Sequence, residues 1–461
     1  MPCGLLAAHV PPYCAASLGR WLLPLRIDAG WPDRKTVNRG RTPRMPQPNQ
    51  PPSRRAIIAG GSMGGLYAAL CLRRAGWSVD VYERSPIPLV GRGAGIVTHP
   101  EMREGMARLG IDASRDFGVP IETRCVLARD GREIARRPYP QIATSWNRLF
   151  AMLREALGDA AYHLGREITG VNEAEGAVTV RFADGRSETA DLLVAADGFR
   201  SSLRAHVCPG VEPTYAGYVA WRGMIDERFA SPALSPDLFA CFAFVLPPAE
   251  QFLAYPVAGP GNDLRVGHRC WNIVWYRPAD ETTELPRLLT DNTGKRHEVS
   301  IPPPLISKAV LADLRRAIAD LLPPQVQAAM AHLDQPLLQP IYDFATPRMA
   351  TRRIALIGDA AFVVRPHVGA GVTKAAEDAA ALAEALGAEP DVPAALAAFE
   401  ARRKPMGDLF VARARHLGAH LKRFYANEAE RLAAARNADP MYAMSETAQL
   451  DFLREMPQFA T

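Results

Sequence analysis

Along residues 1–54 apolar positions repeat with neither a helical nor a strand period, and ten prolines from Pro2 to Pro52 interrupt the segment. It reads as a disordered extension, with Met45 as an alternative start. A regular pattern begins at Arg55. Ala56-Ile57-Ile58-Ala59 is a short unbroken apolar run, suited to a strand buried on both faces. The glycine-rich turn Gly60-Gly61-Ser62-Met63-Gly64-Gly65 follows, and Leu66–Leu72 then reads as a helix. Val79-Asp80-Val81-Tyr82 is a second strand, ending at Glu83. Two later segments repeat the buried run with a carboxylate at its end. Residues 191–198 end in Asp197-Gly198, and 353–359 end in Gly358-Asp359 before a Pro366-His367 turn, a glycine loop and a helix.

Between these segments the pattern changes. Val219–Gly223, Phe252–Pro256 and Cys270–Tyr276 are aromatic and β-branched runs that predict strands of an antiparallel sheet. Trp221, Trp271, Trp275 and Tyr276 are read as core packing, because buried aromatics usually are. Residues 278–304 read as a proline-rich crossover, followed by helices at 307–320 and 324–332, a long amphipathic helix at 391–417, and a looser tail. Asp130-Gly131 and Asp184-Gly185 have the form of hairpin turns. The predicted organisation is α/β. A Rossmann-like nucleotide domain (55–212 and 341–418) is interleaved with an antiparallel-sheet substrate domain with crossover helices (213–340), with a C-terminal helical segment and a tail at 419–461.

Composition narrows the class. Hydrophobic residues are 48% and charged residues 22% of the 461, which excludes a collagenous or wholly disordered chain. The net charge of +5 suggests an anionic partner until it is located. Residues 1–44 carry seven Lys/Arg against Asp28 and Asp33, so they hold the whole excess and the folded body is neutral. Nucleic-acid binding loses its electrostatic argument. The seven cysteines are scattered and never spaced CxxC, which predicts no metal site, no disulfide framework and a cytoplasmic location. No run of 18 residues is apolar throughout, so a membrane span is not expected.

The chemistry sits in the strand-end motifs. In β-turn-α-β with an acid at the second strand's end, Gly60 permits the tight turn and Gly65 lets the helix approach the strand. The helix N-terminus faces a pyrophosphate, and Glu83 accepts from ribose hydroxyls. Ser62 replaces the middle glycine, and its hydroxyl can donate to a phosphate oxygen. An acid rather than arginine here favours FAD or NAD over NADP.

Together the three segments resemble the FAD-dependent aromatic hydroxylases of the para-hydroxybenzoate hydroxylase fold, the class A flavoprotein monooxygenases. That family carries a GxGxxG segment, a strand ending in Asp-Gly and a GD…P…GxG segment in this order. The resemblance spans residues 55 to about 418. Within the family, the Gly-Gly-Ser turn, Glu212–Gly223, Ala254-Tyr255-Pro256 and Arg365-Pro366-His367 are most similar to hydroxylases of hydroxypyridine rings. Phe362, Thr373 and Trp146 stand where the family usually has His, Asn and Arg.

The resemblance implies bound FAD and NADH or NADPH as a transient co-substrate, since no second dinucleotide fingerprint exists. Gly60, Ser62, Met63, Gly65, Glu83, Arg84 and Val97 would bind the cofactor. Asp197 would lie near the pyrophosphate and incoming nicotinamide nucleotide, and Asp359 on the ribityl chain. Gly369, Gly371, Val372 and Thr373, with Pro366, would lie against the isoalloxazine. The implied reaction is hydroxylation of an electron-rich, hydroxylated aromatic or pyridine ring by oxygen activated on the flavin. His367, Pro366, Tyr255 and His268 are the candidate catalytic residues; histidine titrates in the useful range, and His367 is preferred over His268 because the Pro366-His367 turn precedes the flavin loop. The expected partners are a small ring and O2, neither nucleic acid nor membrane, with a homodimer left open. A flavin oxidase or reductase on the same fold, or a non-catalytic FAD-binding sensor, remain as rival readings.

Overall fold

The computed structural model describes residues 54–90, 95–114 and 116–453. The predicted disordered extension and its Met45 start lie outside the described residues, apart from Arg54. Five parallel strands form the nucleotide sheet, in the order Ile354–Leu356, Leu192–Ala195, Arg55–Ala59, Ser78–Glu83, Tyr162–Leu164. The three strands that carry the motifs are adjacent and run the same way. Their carboxyl ends, and so Gly60, Asp197 and Asp359, emerge side by side at one edge, the binding position of open parallel sheets. Met63–Arg74 and Gly371–Ala388 begin at that edge.

A nine-stranded sheet forms the second layer. Its order is Phe362–Val363, Leu337–Ala345, Thr214–Asp226, Cys270–Pro278, Gln251–Val257, Phe242–Val245, Val119–Leu127, Glu133–Ser145, Gly95–Val97. Alternation along each strand divides the side chains between two faces. Trp221, Phe252, Trp271 and Trp275 pack outward into a core shared with the helices Lys308–Leu321 and Pro324–Met330. Val97, Tyr218, Ala220, Phe244, Tyr255 and Tyr276 lie in a separate core on the inner face, with Leu421, Met444 and Ala448 of the tail. The tryptophans are therefore packing residues as predicted, but Tyr276 belongs to the face that meets the Pro366–Val368 turn.

Two expectations change. Residues 95–145 of the expected nucleotide domain supply three strands of the nine-stranded sheet, and Leu337–Ala345 runs across the expected boundary at 340. The cause is long-range pairing that local pattern cannot reveal, such as Phe242–Val245 lying parallel to Arg124–Leu127. The tail is not loose among its described residues. It forms helices Glu428–Asn437 and Pro440–Glu446 and a turn at Asp451–Leu453. Arg124, fully buried in mid-strand, holds it in place, donating to the carbonyls of Met444 and Thr447 at 2.6 Å and to Gln141 Oε1 at 2.5 Å. Carbonyls left unpaired at a helix C-terminus are natural acceptors for that charge. Asp130-Gly131 and Asp184-Gly185 do join hairpin strands.

Candidate functional site

The glycine turn is built for close approach. Gly60 has φ +103°, and a Cβ there would stand 2.3 Å from the Ala196 carbonyl oxygen; one on Gly65 would stand 1.9 Å from the Gly60 oxygen. Glu83 is buried and accepts from Gly61 N at 2.9 Å and Ser85 N at 2.8 Å. It thus grips the turn as well as ending the second strand. The Tyr162 hydroxyl donates to the Gly61 oxygen at 2.8 Å and braces the turn from the sheet's edge. Ser62 is the N-cap of Met63–Arg74, yet its side chain makes no capping bond, which leaves the hydroxyl for a ligand. Met63 is buried in the first turn and Arg84 is exposed beside Glu83.

Asp197 accepts from Leu203 N at 3.3 Å through Oδ2, while its buried Oδ1 has no partner; burial raises its pKa above the usual carboxylate range. The Gly358-Asp359 turn rests on a buried ion pair. Gly358 N donates to Asp378 Oδ2 at 2.9 Å, and Asp378 pairs with Arg403 at 2.7 Å. Asp359 itself is 50% exposed and pairs at 2.8 Å with Lys374, which is buried and also donates to the Phe362 carbonyl. The open acceptor on Asp197, the free Ser62 hydroxyl and the N-termini of two long helices fit the hydroxyls and phosphates of FAD.

The turn Pro366–Val368 leads to Gly369 at φ +68°, packed against Ala448. Gly371, Val372 and Thr373 form the first turn of Gly371–Ala388, which has no side-chain cap. Thr373 is buried with its Oγ1 3.3 Å from His99 Nδ1. His99 is buried, and burial, assisted by the charge of Arg124, lowers its pKa to about 4. His367 is buried against the inner sheet face, its Nε2 2.8 Å from the Tyr218 hydroxyl and its ring 4.5 Å from that of Tyr276. Its Nδ1 has no partner. Burial first, then the charges of His420, Arg365 and Arg222, lower its pKa well below 6.5.

Tyr255 lies on the same face, but its hydroxyl donates to the Gly95 carbonyl at 3.2 Å, and Asn272 Oδ1 accepts from Gly95 N at 3.1 Å. Together they hold the short strand Gly95–Val97, with buried Val97, over the sheet. His268 is not brought to the site. It is 54% exposed in the hairpin loop before Cys270, with Nδ1 3.6 Å from Asp263. Cys270 is already six residues from Tyr276 along one strand, roughly 20 Å away. Sequence reasoning missed His99, Arg124, Tyr218, Arg222 and Asn272. The signal for Tyr218 and Arg222 was alternation, which places both on the face opposite Trp221.

A family model described as FAD binding domain-like matches residues 215–343, and one described as FAD binding domain matches 313–414. The 2,6-dihydroxypyridine 3-monooxygenase of Paenarthrobacter nicotinovorans is 32% identical over 373 residues, covering 81% of this chain and 92% of that protein. An FAD-dependent urate hydroxylase of Klebsiella pneumoniae is 31% identical over 379 residues, covering 76% and 85%. The structure of 2,6-dihydroxypyridine-3-hydroxylase from Arthrobacter nicotinovorans superimposes with a TM-score of 0.74 at 31% identity, over 83% of this chain and 96% of that one. Klebsiella pneumoniae HpxO, complexed with FAD and uric acid, gives 0.67 at 26% identity, over 85% and 95%.

Proposed function

The chain belongs to the class A FAD-dependent aromatic hydroxylases, and from that premise we propose that its substrate is a small hydroxylated pyridine-like ring held between the flavin edge and the inner sheet face. The protein is an FAD-dependent monooxygenase with NAD(P)H as co-substrate. The observation that carries the substrate reading is the meeting of the Pro366–Val368 turn with Tyr218 and Tyr276 on that face.

FAD held here would supply the oxygen-activating chemistry, with NAD(P)H as the source of electrons. The chain's own residues bind and orient. Ser62 and the helix N-terminus behind it would receive the pyrophosphate, Glu83 the ribose, and Asp359 the ribityl hydroxyls. Asp197, with its open oxygen, would serve the phosphates. Pro366, Gly369, Gly371, Val372 and Thr373 would line the ring system, and Tyr255 would close the substrate end. His367, kept neutral by burial, donates from Nε2 to the Tyr218 oxygen in one tautomer. That tautomer leaves Nδ1 as an acceptor for a ring hydroxyl. Its low basicity makes it an orienting acceptor rather than a base that keeps the proton.

Oxygen uptake and NAD(P)H oxidation with 2,6-dihydroxypyridine, urate and 6-hydroxynicotinate test the reading, with labelled O2 tracing the inserted atom. Stimulated oxidation with label in the product is expected; label entering from water refutes a monooxygenase. In His367→Ala the flavin should still be reduced, while product per NAD(P)H oxidised falls and peroxide is released. Wild-type coupling would remove His367 from substrate orientation.

Asp359→Ala should weaken FAD retention by about 1.5–3 kcal/mol, the worth of a hydrogen bond to a charged group. It also strips buried Lys374 of its counter-charge. Asp359→Asn should retain more flavin than the alanine variant, as read by equilibrium dialysis. We place the enzyme in the cytoplasm. Cys71, Cys125, Cys208 and Cys241 are free thiols, as a reducing compartment keeps them, and no described helix is long and apolar enough to cross a membrane.

A further inference from the structure

Arg222 lies in the middle of Thr214–Asp226, between Trp221 and Gly223. Alternation places it on the inner face with Tyr218 and Ala220, whereas Trp221 enters the outer core. Opposite it on the neighbouring strand is Val274, which in turn faces Leu253. The row on one side holds Tyr276, and the row on the other holds Asn272 and Tyr255. Arg222 therefore stands over an apolar floor between two polar rows. Asn272 and Tyr276 are four residues apart on one strand, about 13 Å, enough for one substituted ring.

The positive charge of Arg222 reaches Tyr255, Tyr276 and His367, favouring the deprotonated form of each. Yet among the described residues its buried Nε donates to nothing, and no carboxylate pairs with it. Several other arginines near this sheet are matched. Arg365 and Arg415 share Asp343, Arg277 pairs with Glu250, and Arg124 is surrounded by acceptor oxygens. Asn272 Nδ2, in the next row, is likewise buried and without a partner. A half-buried guanidinium lacking an acceptor is destabilising to keep, so its acceptor should come from outside the chain.

We propose that Arg222 is the anion partner of the substrate: the site takes its ring as an anion, with a ring oxyanion or ring carboxylate held by this guanidinium. This rests on the hydroxylase reading and adds to it the charge and the residue that select the ring. Ligand binding to the oxidised FAD-loaded enzyme, followed by perturbation of the flavin absorbance, tests it without turnover. The probes are 6-hydroxynicotinate, its neutral amide 6-hydroxynicotinamide, and 2,6-dihydroxypyridine. Wild type should prefer the carboxylate over the amide by roughly tenfold or more, the range of charge-assisted hydrogen bonds.

Arg222→Gln should bring that ratio close to one with amide affinity kept, and Arg222→Lys should restore part of it. Loss of affinity for 2,6-dihydroxypyridine alone in Arg222→Gln would identify the anion as a ring oxyanion; loss for the carboxylate alone would identify a carboxylate. Wild-type affinity of Arg222→Gln for both 6-hydroxynicotinate and 2,6-dihydroxypyridine overturns the proposal. FAD content and melting temperature show whether the glutamine variant is folded, and the lysine variant supplies the same comparison if it is not. An enzyme that binds anions through Arg222 but hydroxylates none would sink the hydroxylase reading and leave the anion site standing.

Discussion

Gly65→Ala should give protein without flavin, either insoluble or unfolding far below wild type. The added methyl would sit 1.9 Å from the Gly60 carbonyl oxygen and 3.3 Å from Ile58 Cγ2. The first is backbone of the adjoining turn, so no side-chain rotation relieves the clash. The helix Met63–Arg74 would have to lift from the sheet, uncovering Leu66, Tyr67, Ala68, Ala69 and Leu72, all buried at present. Overpacking of a tight core costs typically about 1–3 kcal/mol and sometimes more, and here the displaced element is the phosphate site itself. Gly64→Ala is the matched control. Its methyl would meet neighbours at 3.7–3.9 Å, an ordinary contact, and alanine in place of a helical glycine contributes about 0.5–1 kcal/mol. Flavin absorbance and melting curves of the two variants read the difference directly. A yellow Gly65→Ala protein with wild-type stability would contradict the packing described.

Acidification should unfold the protein through buried histidines. His99 and His420 have pKa values lowered to about 4, by burial first in each case, and His367 lies well below 6.5. An unfolded chain protonates these rings near 6.5. Below that pH it holds protons that the native state does not, so stability is full above 6.5 and falls as pH drops toward 4. Each of His99 and His420 removes about 3 kcal/mol by pH 4, and three protons taken up together give a slope near 4 kcal/mol per pH unit. Carboxylates such as Asp280, held at about 2 by hydrogen bonds from Thr282 and Thr283, add their share at lower pH. Denaturant unfolding from pH 7.5 to 5 measures the slope. His420→Gln should flatten it by about one proton; an unchanged slope would mean that His420 is protonated in the folded state.

Local rules sufficed wherever the cause is local. A glycine needed for close approach, an acid ending a buried strand and the alternation of an aromatic strand all act within a few residues. The strand-end and turn positions of Gly60, Gly65, Glu83, Asp197 and Asp359 were therefore legible from sequence, as were the helices now seen at Lys308–Leu321 and Pro324–Met330 and the core packing of the three tryptophans. The preference for His367 over His268 came from its place before the glycine loop, but the contacts of each were not legible: the fold sets His367 against Tyr276 and leaves His268 in an exposed loop. Nor does sequence set a charge state. His367 is neutral because folding removes it from water among positive groups, and Lys374 finds Asp359 because helix and turn meet in space. Arg124 carries no local sign of its role, which comes from carbonyls some 320 positions away that surround it. Residue type and short-range period belong to the chain alone; partners, burial and protonation arise only when distant segments exclude solvent together.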